Sequence, residues 1–157
     1  MTHPTLQPLL ILLEQAESER DAALQRERKV ERALAAAEQQ AVQLREYRSE
    51  YEGRWGQQLK RGMAITLVHV YQDFVGRLHG AVDQQGEQIE RLRAELARCM
   101  ADTVAAELRV ASVGKLIDRR ESTLARNAAQ REQKQLDELA SRAAWQRVDR
   151  LGAHTRT

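Results

Sequence analysis

The sequence is poor in the residues that build strands or break helices. Its 157 residues include only six aromatic side chains, eight glycines and two prolines, and no proline follows Pro8. Sandwiches, barrels and open sheets need many strands and turns, so this scarcity argues against all three. The single cysteine, Cys99, excludes an intramolecular disulfide and suits a reducing compartment. The longest N-terminal apolar run, residues 9–13, is too short for a signal peptide or a membrane span, so we expect a cytoplasmic protein.

Helix-forming residues are abundant instead. Ala, Glu, Lys, Leu and Arg make up 53% of the chain, a proportion typical of coiled coils. The net charge of +2 is unevenly spread, because residues 1–52 carry −3 and residues 115–157 carry +4. The basic C-terminal part also contains acidic residues throughout, which is typical of a solvated helical face.

Two long seams with strict 3,4 spacing follow one another along the chain. Such a repeat keeps a narrow stripe facing a partner helix. The first seam comprises Leu13, Ala16, Arg20, Ala23, Glu27, Val30, Leu34, Ala37, Ala41, Leu44, Arg48, Tyr51 and Trp55. The second comprises Val68, Tyr71, Val75, Leu78, Val82, Gln85, Ile89, Leu92, Leu96, Cys99, Thr103, Ala106, Val110, Val113, Ile117, Arg120 and Leu124.

Three glycines separate the seams and predict a chain reversal. Gly53, Gly56 and Gly62 fall within ten residues, and glycine is unfavourable inside helices but favourable in turns. We therefore predict an all-α fold in one domain, residues 1–157, with two long helices in an antiparallel coiled-coil hairpin. The predicted elements are helix 1 over about 6–52, a turn region over 53–62 and helix 2 over about 63–148.

The unequal helices predict a C-terminal helical overhang. A turn centred near residue 58 pairs residue 6 with about residue 110 and residue 44 with about residue 72. The chain beyond about residue 115 then has no intramolecular partner, and its seam breaks up after Leu124. A polar single helix is only marginally stable in water, so we expect this segment to fray or to dock into a partner.

Apolar residues are in surplus just after the predicted turn. Residues 63–71 are richer in large apolar side chains than one seam can bury, and Tyr47 and Phe74 fall outside both seams. Two interpretations stay open: an exposed interface, or a core widened locally by a short third segment around residues 55–59.

The sequence contains no convincing catalytic, metal or cofactor site. His69 and Asp73 are spaced i, i+4, but no third ligand follows, and Cys99 lacks a partner histidine. Common nucleotide-binding, metalloprotease and hydrolase motifs are missing, so we expect neither an enzyme nor a cofactor. Nucleic-acid binding is also disfavoured, because acidic residues intersperse the basic ones and residues 115–144 hold no aromatic ring to stack a base.

Three segments of the chain carry distinctive residue patterns. Residues 46–51, Glu-Tyr-Arg-Ser-Glu-Tyr, place two tyrosines at i, i+4 late in the predicted helix 1. Residues 71–75 are Tyr-Gln-Asp-Phe-Val, early in helix 2, and residues 133–140 are Gln-Lys-Gln-Leu-Asp-Glu-Leu-Ala, followed by Arg142. In this order and at matching separations, they resemble the paired tyrosines, the Y-Q-x-F segment and the C-terminal Q-K-x-[LM]-D-E-[FL]-A-x-R stretch of the FliJ family, the small coiled-coil stalk proteins of the flagellar type III export apparatus.

The resemblance implies a fold, partners and binding residues. Such proteins are antiparallel two-helix coiled coils that insert into the export ATPase hexamer, promote its assembly, contact the cytoplasmic domain of the export gate and handle chaperones of export substrates. It implies a monomer when free, located in the cytoplasm and held at the inner membrane only through protein partners. The gate surface maps onto Gln40, Leu44, Tyr47, Tyr51, Phe74, Leu78, Ala81 and Gln85, where Gln85 replaces a histidine of some relatives.

The overhang is then the segment expected to enter the ATPase ring. Alternating charges let one helix contact six similar subunits without a large apolar anchor. The expected ring-contacting residues are Arg119, Arg120, Arg126, Arg131, Gln133, Lys134, Asp137 and Glu138. Two alternatives stay open: the equivalent stalk protein of a type III injectisome, and a homodimeric coiled-coil scaffold.

Overall fold

Two α-helices make up the computed structural model, which describes residues 3–154. Helix α1 spans Gln7–Lys60 and helix α2 spans Ile65–His154. No strand occurs within residues 3–154, and the two helices pack against each other. The predicted all-α hairpin is therefore confirmed.

The chain reverses over residues 61–64, later than the sequence indicates. Helix α1 continues through Gly53 and Gly56, so the turn region expected at 53–62 is helical as far as Lys60. The last turn of α1 tightens through two i→i−3 bonds, in which the Arg61 N–H donates to the Gln58 carbonyl and the Gly62 N–H to the Leu59 carbonyl. Gly62 has φ near 90°, a conformation that only glycine adopts without strain, so this is the glycine that the turn requires.

Both predicted seams face the partner helix. None of the thirteen seam residues of α1 is fully exposed, and the same holds for α2 from Val68 to Ile117. The core is thin, because alanines occupy much of the seam. A buried cluster joins Ala37 and Ala41 of α1 to Ile89 of α2, with Leu34 and Leu92 packed against it.

Tertiary contacts divide the chain into two units. One is Glu17–Leu108, and the other combines the chain up to Ala16 with the chain from Arg109 onward. The helices run antiparallel in the first, where Tyr51 contacts Phe74 and Gln85 bonds to Ala37 and Gln40. In the second, Leu6 and Ala16 of the N-terminal part are buried, as are Val113 and Ile117 of α2.

The register differs from the one inferred from a turn at residue 58. The Tyr51–Phe74 and Gln40–Gln85 contacts centre the hairpin between residues 62 and 63. Residue 44 therefore lies level with residue 81 rather than residue 72. The error in the pairing is twice the displacement of the turn, because each residue by which the turn centre moves shifts the paired position by two.

Burial along α2 ends at Ile117. From residue 118 to residue 154 every side chain is exposed except Leu124, which is half-buried. The sequence interpretation placed the start of the unpaired segment near residue 115. The segment stays helical to His154, the limit of the described chain.

Candidate partner-binding surfaces

Five of the six aromatic residues form one cluster in the unit 17–108. Tyr51 is its centre, with ring centroids 4.3 Å from Phe74, 5.8 Å from Trp55, 6.0 Å from Tyr71 and 6.3 Å from Tyr47. Trp55 also stacks on Tyr71 at 5.3 Å. Tilted and offset rings at these distances attract one another beyond simple burial of area. The cluster therefore widens the core through the extension of α1, without the short third segment that one interpretation proposed.

The eight residues assigned to the gate surface form four successive levels across the two helices. Two levels are seen as direct contacts: Gln40 with Gln85 and Tyr51 with Phe74. The same register places Leu44 level with Ala81, and Tyr47 level with Leu78. From residue 40 to residue 51 the surface extends roughly 16 Å along α1.

Accessibility divides these eight residues into three groups. Gln40 and Tyr47 are exposed, and 52% of Tyr47 is accessible. Leu78 is buried and packs in the seam. The other five are half-buried: Leu44, Tyr51, Phe74, Ala81 and Gln85. A partner would therefore meet the tyrosine and glutamine of α1 first.

Gln85 is a polar residue in an otherwise apolar part of the seam. Its Nε2 donates to the Ala37 carbonyl at 2.9 Å and lies 3.4 Å from Gln40 Oε1. Since a slipped register would leave this amide without its partners, Gln85 favours one alignment of the helices. The contact between Gln85 Nε2 and Gln40 Oε1 also orients the Gln40 side chain at the surface.

Charged side chains join the two helices beside these levels. His79 lies between Arg48, whose guanidinium is 3.4 Å from Nδ1, and Glu52, whose Oε1 is 3.5 Å from Nε2. Further along, Arg93 pairs with Glu38 at 3.2 Å and with Glu90 at 2.9 Å. These exposed pairs contribute little to stability, about 0–1 kcal/mol each.

The residues expected to contact an ATPase ring all lie on the exposed part of α2. Arg119, Arg120, Arg126, Arg131, Gln133, Lys134, Asp137 and Glu138 are all solvent-exposed. Two hydrogen bonds within the helix involve residues of this set: Gln133 Nε2 donates to Asp137 Oδ1 at 3.2 Å, and the Thr123 hydroxyl donates to the Arg119 carbonyl at 2.9 Å. The charged groups are thus presented to solvent.

Large apolar side chains also lie exposed in this segment, which the sequence interpretation missed. They are Leu136, Leu139, Trp145, Val148 and Leu151, each more than half accessible. The sequence could have indicated these exposed residues, because the seam ends after Leu124 and apolar residues beyond it have no helix to pack against. The segment therefore combines alternating charge with apolar contact area.

Features that suggest chemistry remain sparse. Among the described residues no group of three His, Cys, Asp or Glu side chains is placed to hold a metal ion, and His69 and Asp73 are both exposed. Cys99 is a half-buried free thiol at one edge of an open groove of about 340 Å³. No helix in the described part of the chain is long and apolar enough to span a membrane.

These features define the chain as a coiled-coil protein, with two helices paired along a heptad seam. A family model described as the flagellar FliJ protein matches residues 5–149, and the chain belongs to this family. Neither a search of curated proteins nor a search of solved structures found a match. The family is one of non-enzymatic components related to flagellar export, as the resemblance implied.

Proposed function

We propose that this protein is the stalk of a flagellar type III export apparatus. It inserts into the export ATPase hexamer, promotes ring assembly and activity, links the ring to the cytoplasmic domain of the export gate and handles substrate chaperones. It acts as a monomer in the cytoplasm and reaches the inner membrane through these partners.

The observation that carries this proposal is the alignment of the gate residues. The resemblance assigned four residues to each helix without reference to a register. The contacts of Gln40 with Gln85 and of Tyr51 with Phe74 align the eight residues in four pairs, and the two members of each pair lie at the same level along the hairpin. A surface built from both helices is expected where a partner recognises the folded hairpin rather than a single helix.

The exposed segment of α2 supports the ATPase role. A helix that contacts six similar subunits benefits from a surface with many moderate contacts. Residues 118–154 present charges of both signs together with exposed apolar side chains. Interface contacts of this kind gain area from apolar residues and orientation from charges.

The first experiment measures turnover by the cognate export ATPase with and without this protein, at several salt concentrations. A chain truncated after Leu124 is the informative variant, because it keeps Ile117 and every other buried or half-buried residue. We expect the full chain to raise turnover and the truncated chain to lose most of this effect. A full-length Tyr47→Ala variant is the control, since it alters the proposed gate surface and should stimulate normally.

Two results would contradict the proposal. Undiminished stimulation by a folded truncated chain would remove the ring-binding role from residues 125–157. No stimulation by the full chain, combined with a stable dimer in solution, would favour the homodimeric scaffold.

A further inference from the structure

The hairpin tip, residues 59–70, exposes a group of large apolar side chains that neither the seam nor the proposed partner surfaces use. Leu59 at the end of α1 is 41% accessible, and Leu67, Val70 and Ile65 at the start of α2 are 48%, 58% and 76% accessible. All four lie in the unit 17–108, within about one and a half turns of a helix end. Exposed apolar clusters of this kind mark contact surfaces.

The charge around the tip has one sign. Residues 53–72 contain no aspartate or glutamate, but they contain Arg54, Lys60 and Arg61, all exposed. The nearest acidic residues are Glu52 and Asp73, each eight positions from the end of its helix. At 1.5 Å per residue, both helices are therefore free of acidic side chains over roughly 12 Å from the tip.

We propose that the hairpin tip inserts into the headgroup region of an anionic membrane surface. Peripheral segments bury apolar side chains about 5–10 Å deep at the boundary of headgroups and acyl chains. The 12 Å zone without carboxylates covers this depth, and the first acidic residues would stay outside it. Lys60 and Arg61 would meet lipid phosphates while Ile65 and Leu67 enter the apolar layer.

A protein partner fits these observations less well. A protein groove can accommodate carboxylates by pairing them, so it does not require acidic residues to be missing equally from both helices. An anionic lipid surface repels every carboxylate within its field, and this field falls off within about a Debye length. The inference does not depend on the proposed stalk function. It adds a direct membrane contact to the attachment through protein partners.

The test uses the full chain and vesicles of pure phosphatidylcholine or of phosphatidylcholine with 30% phosphatidylglycerol. We expect sedimentation with the anionic vesicles and at least tenfold weaker binding to the neutral ones. Ile65→Ser combined with Leu67→Ser should weaken binding to anionic vesicles about tenfold or more. Val104→Ser combined with Leu108→Ser is the matched control, because these residues are similarly exposed on α2 at 55% and 63%.

Charge is tested separately from apolar contact. Lys60→Glu combined with Arg61→Glu should abolish the preference for anionic vesicles. Arg119→Glu combined with Arg120→Glu is the control, since it changes the net charge equally at another adjacent, exposed basic pair. An equal loss in both variants would mean that only overall charge matters, which would overturn a specific role of the tip.

Fluorescence quenching tests insertion with the tip left intact. Trp145→Phe leaves Trp55, five residues before the end of α1, as the only tryptophan, and Trp55→Phe leaves only Trp145. Brominated anionic lipids should quench Trp55 but not Trp145. Quenching of Trp145 alone would assign membrane contact to the C-terminal segment and overturn the proposal.

Two further results would also overturn it. One is the failure of the full chain to bind anionic vesicles. The other is unchanged vesicle binding by tip variants that lose affinity for the gate domain or the ATPase, which would make the tip a protein-binding surface. The stalk function would survive both results, because it rests on other residues.

Discussion

The ring centroid of Tyr51 on α1 lies 4.3 Å from the ring centroid of Phe74 on α2, the shortest ring separation in the aromatic cluster. Tyr51 belongs to the predicted seam, but Phe74 falls outside it. A ring needs more room than the alanines that occupy the seam further along, so the contact area widens here beyond the narrow stripe. Both residues also belong to the proposed gate surface, but their contact stabilises the fold independently of any partner.

We expect the aromatic residues to differ in their contribution to stability. Tyr51→Ala and Phe74→Ala should each lower the free energy of unfolding by about 2 kcal/mol, because each removes packed ring contacts. Tyr47→Ala should change it by less than about 0.5 kcal/mol, since this side chain is half accessible. Urea unfolding followed by circular dichroism at 222 nm measures all three. Equal losses for Tyr47→Ala and Tyr51→Ala would contradict the central position of Tyr51.

Replacing the glycines near the chain reversal by alanine should stabilise the protein at two positions and destabilise it at the third. Gly53 and Gly56 lie inside α1 and an added Cβ meets no atom within 4 Å, so Gly53→Ala and Gly56→Ala should each stabilise by about 0.5–1 kcal/mol. Gly62→Ala should destabilise by about 1 kcal/mol, because φ near 90° is strained for alanine even in open space. Thermal melts of the three variants test where the turn lies. Destabilisation by Gly53→Ala would return the reversal to residues 53–62.

Ile89 should be among the most sensitive positions of the core. Its side chain is 6% accessible and packs against Ala37 and Ala41, which are too small to fill a cavity left by truncation. We expect Ile89→Ala to lower the free energy of unfolding by about 2–4 kcal/mol. Val104→Ala, at an exposed position of the same helix, is the control and should cost less than about 0.5 kcal/mol. Similar losses at both positions would contradict the assigned seam.

Gate binding should depend on the two exposed residues of the proposed surface. Gln40→Ala combined with Tyr47→Ala should weaken binding to the purified gate domain about tenfold or more, while ATPase stimulation and helicity stay unchanged. These two residues are preferable to Tyr51 and Phe74, whose replacement also disturbs the fold. Isothermal titration calorimetry measures the affinity.

Val42→Ala is the matched control for this binding experiment. Val42 is 49% accessible, close to the 52% of Tyr47, but it lies roughly 140° around α1 from Tyr47. It should bind the gate domain with unchanged affinity. A similar loss for Val42→Ala, or no loss for the double variant, would remove the gate contact from the proposed surface.

The positions of the seams could be predicted from the sequence because a 3.5-residue repeat is a local property. Ala23, Val30 and Ile89 face the partner helix in any register that pairs the two stripes. The end of burial near Ile117 was also foreseeable, since the repeat loses its apolar residues soon afterwards. The assignment of the gate residues came from the resemblance to the FliJ family. The repeat itself placed Leu78 in the seam and Tyr47 outside it, in agreement with the burial of Leu78 and the exposure of Tyr47.

Tertiary structure decided the place of the turn and, with it, the register. Glycine lowers helix stability by only about 1 kcal/mol, which packing between helices readily offsets. The stacking of Trp55 on Tyr71 favours a helix α1 that continues beyond Gly53, so that Gly53 and Gly56 are both helical. Local propensity and long-range packing favoured different turns here. The sequence by itself determined that two amphipathic helices would pair, whereas the aromatic contacts between them decided at which residue the chain reverses and which side chains remain exposed at the tip.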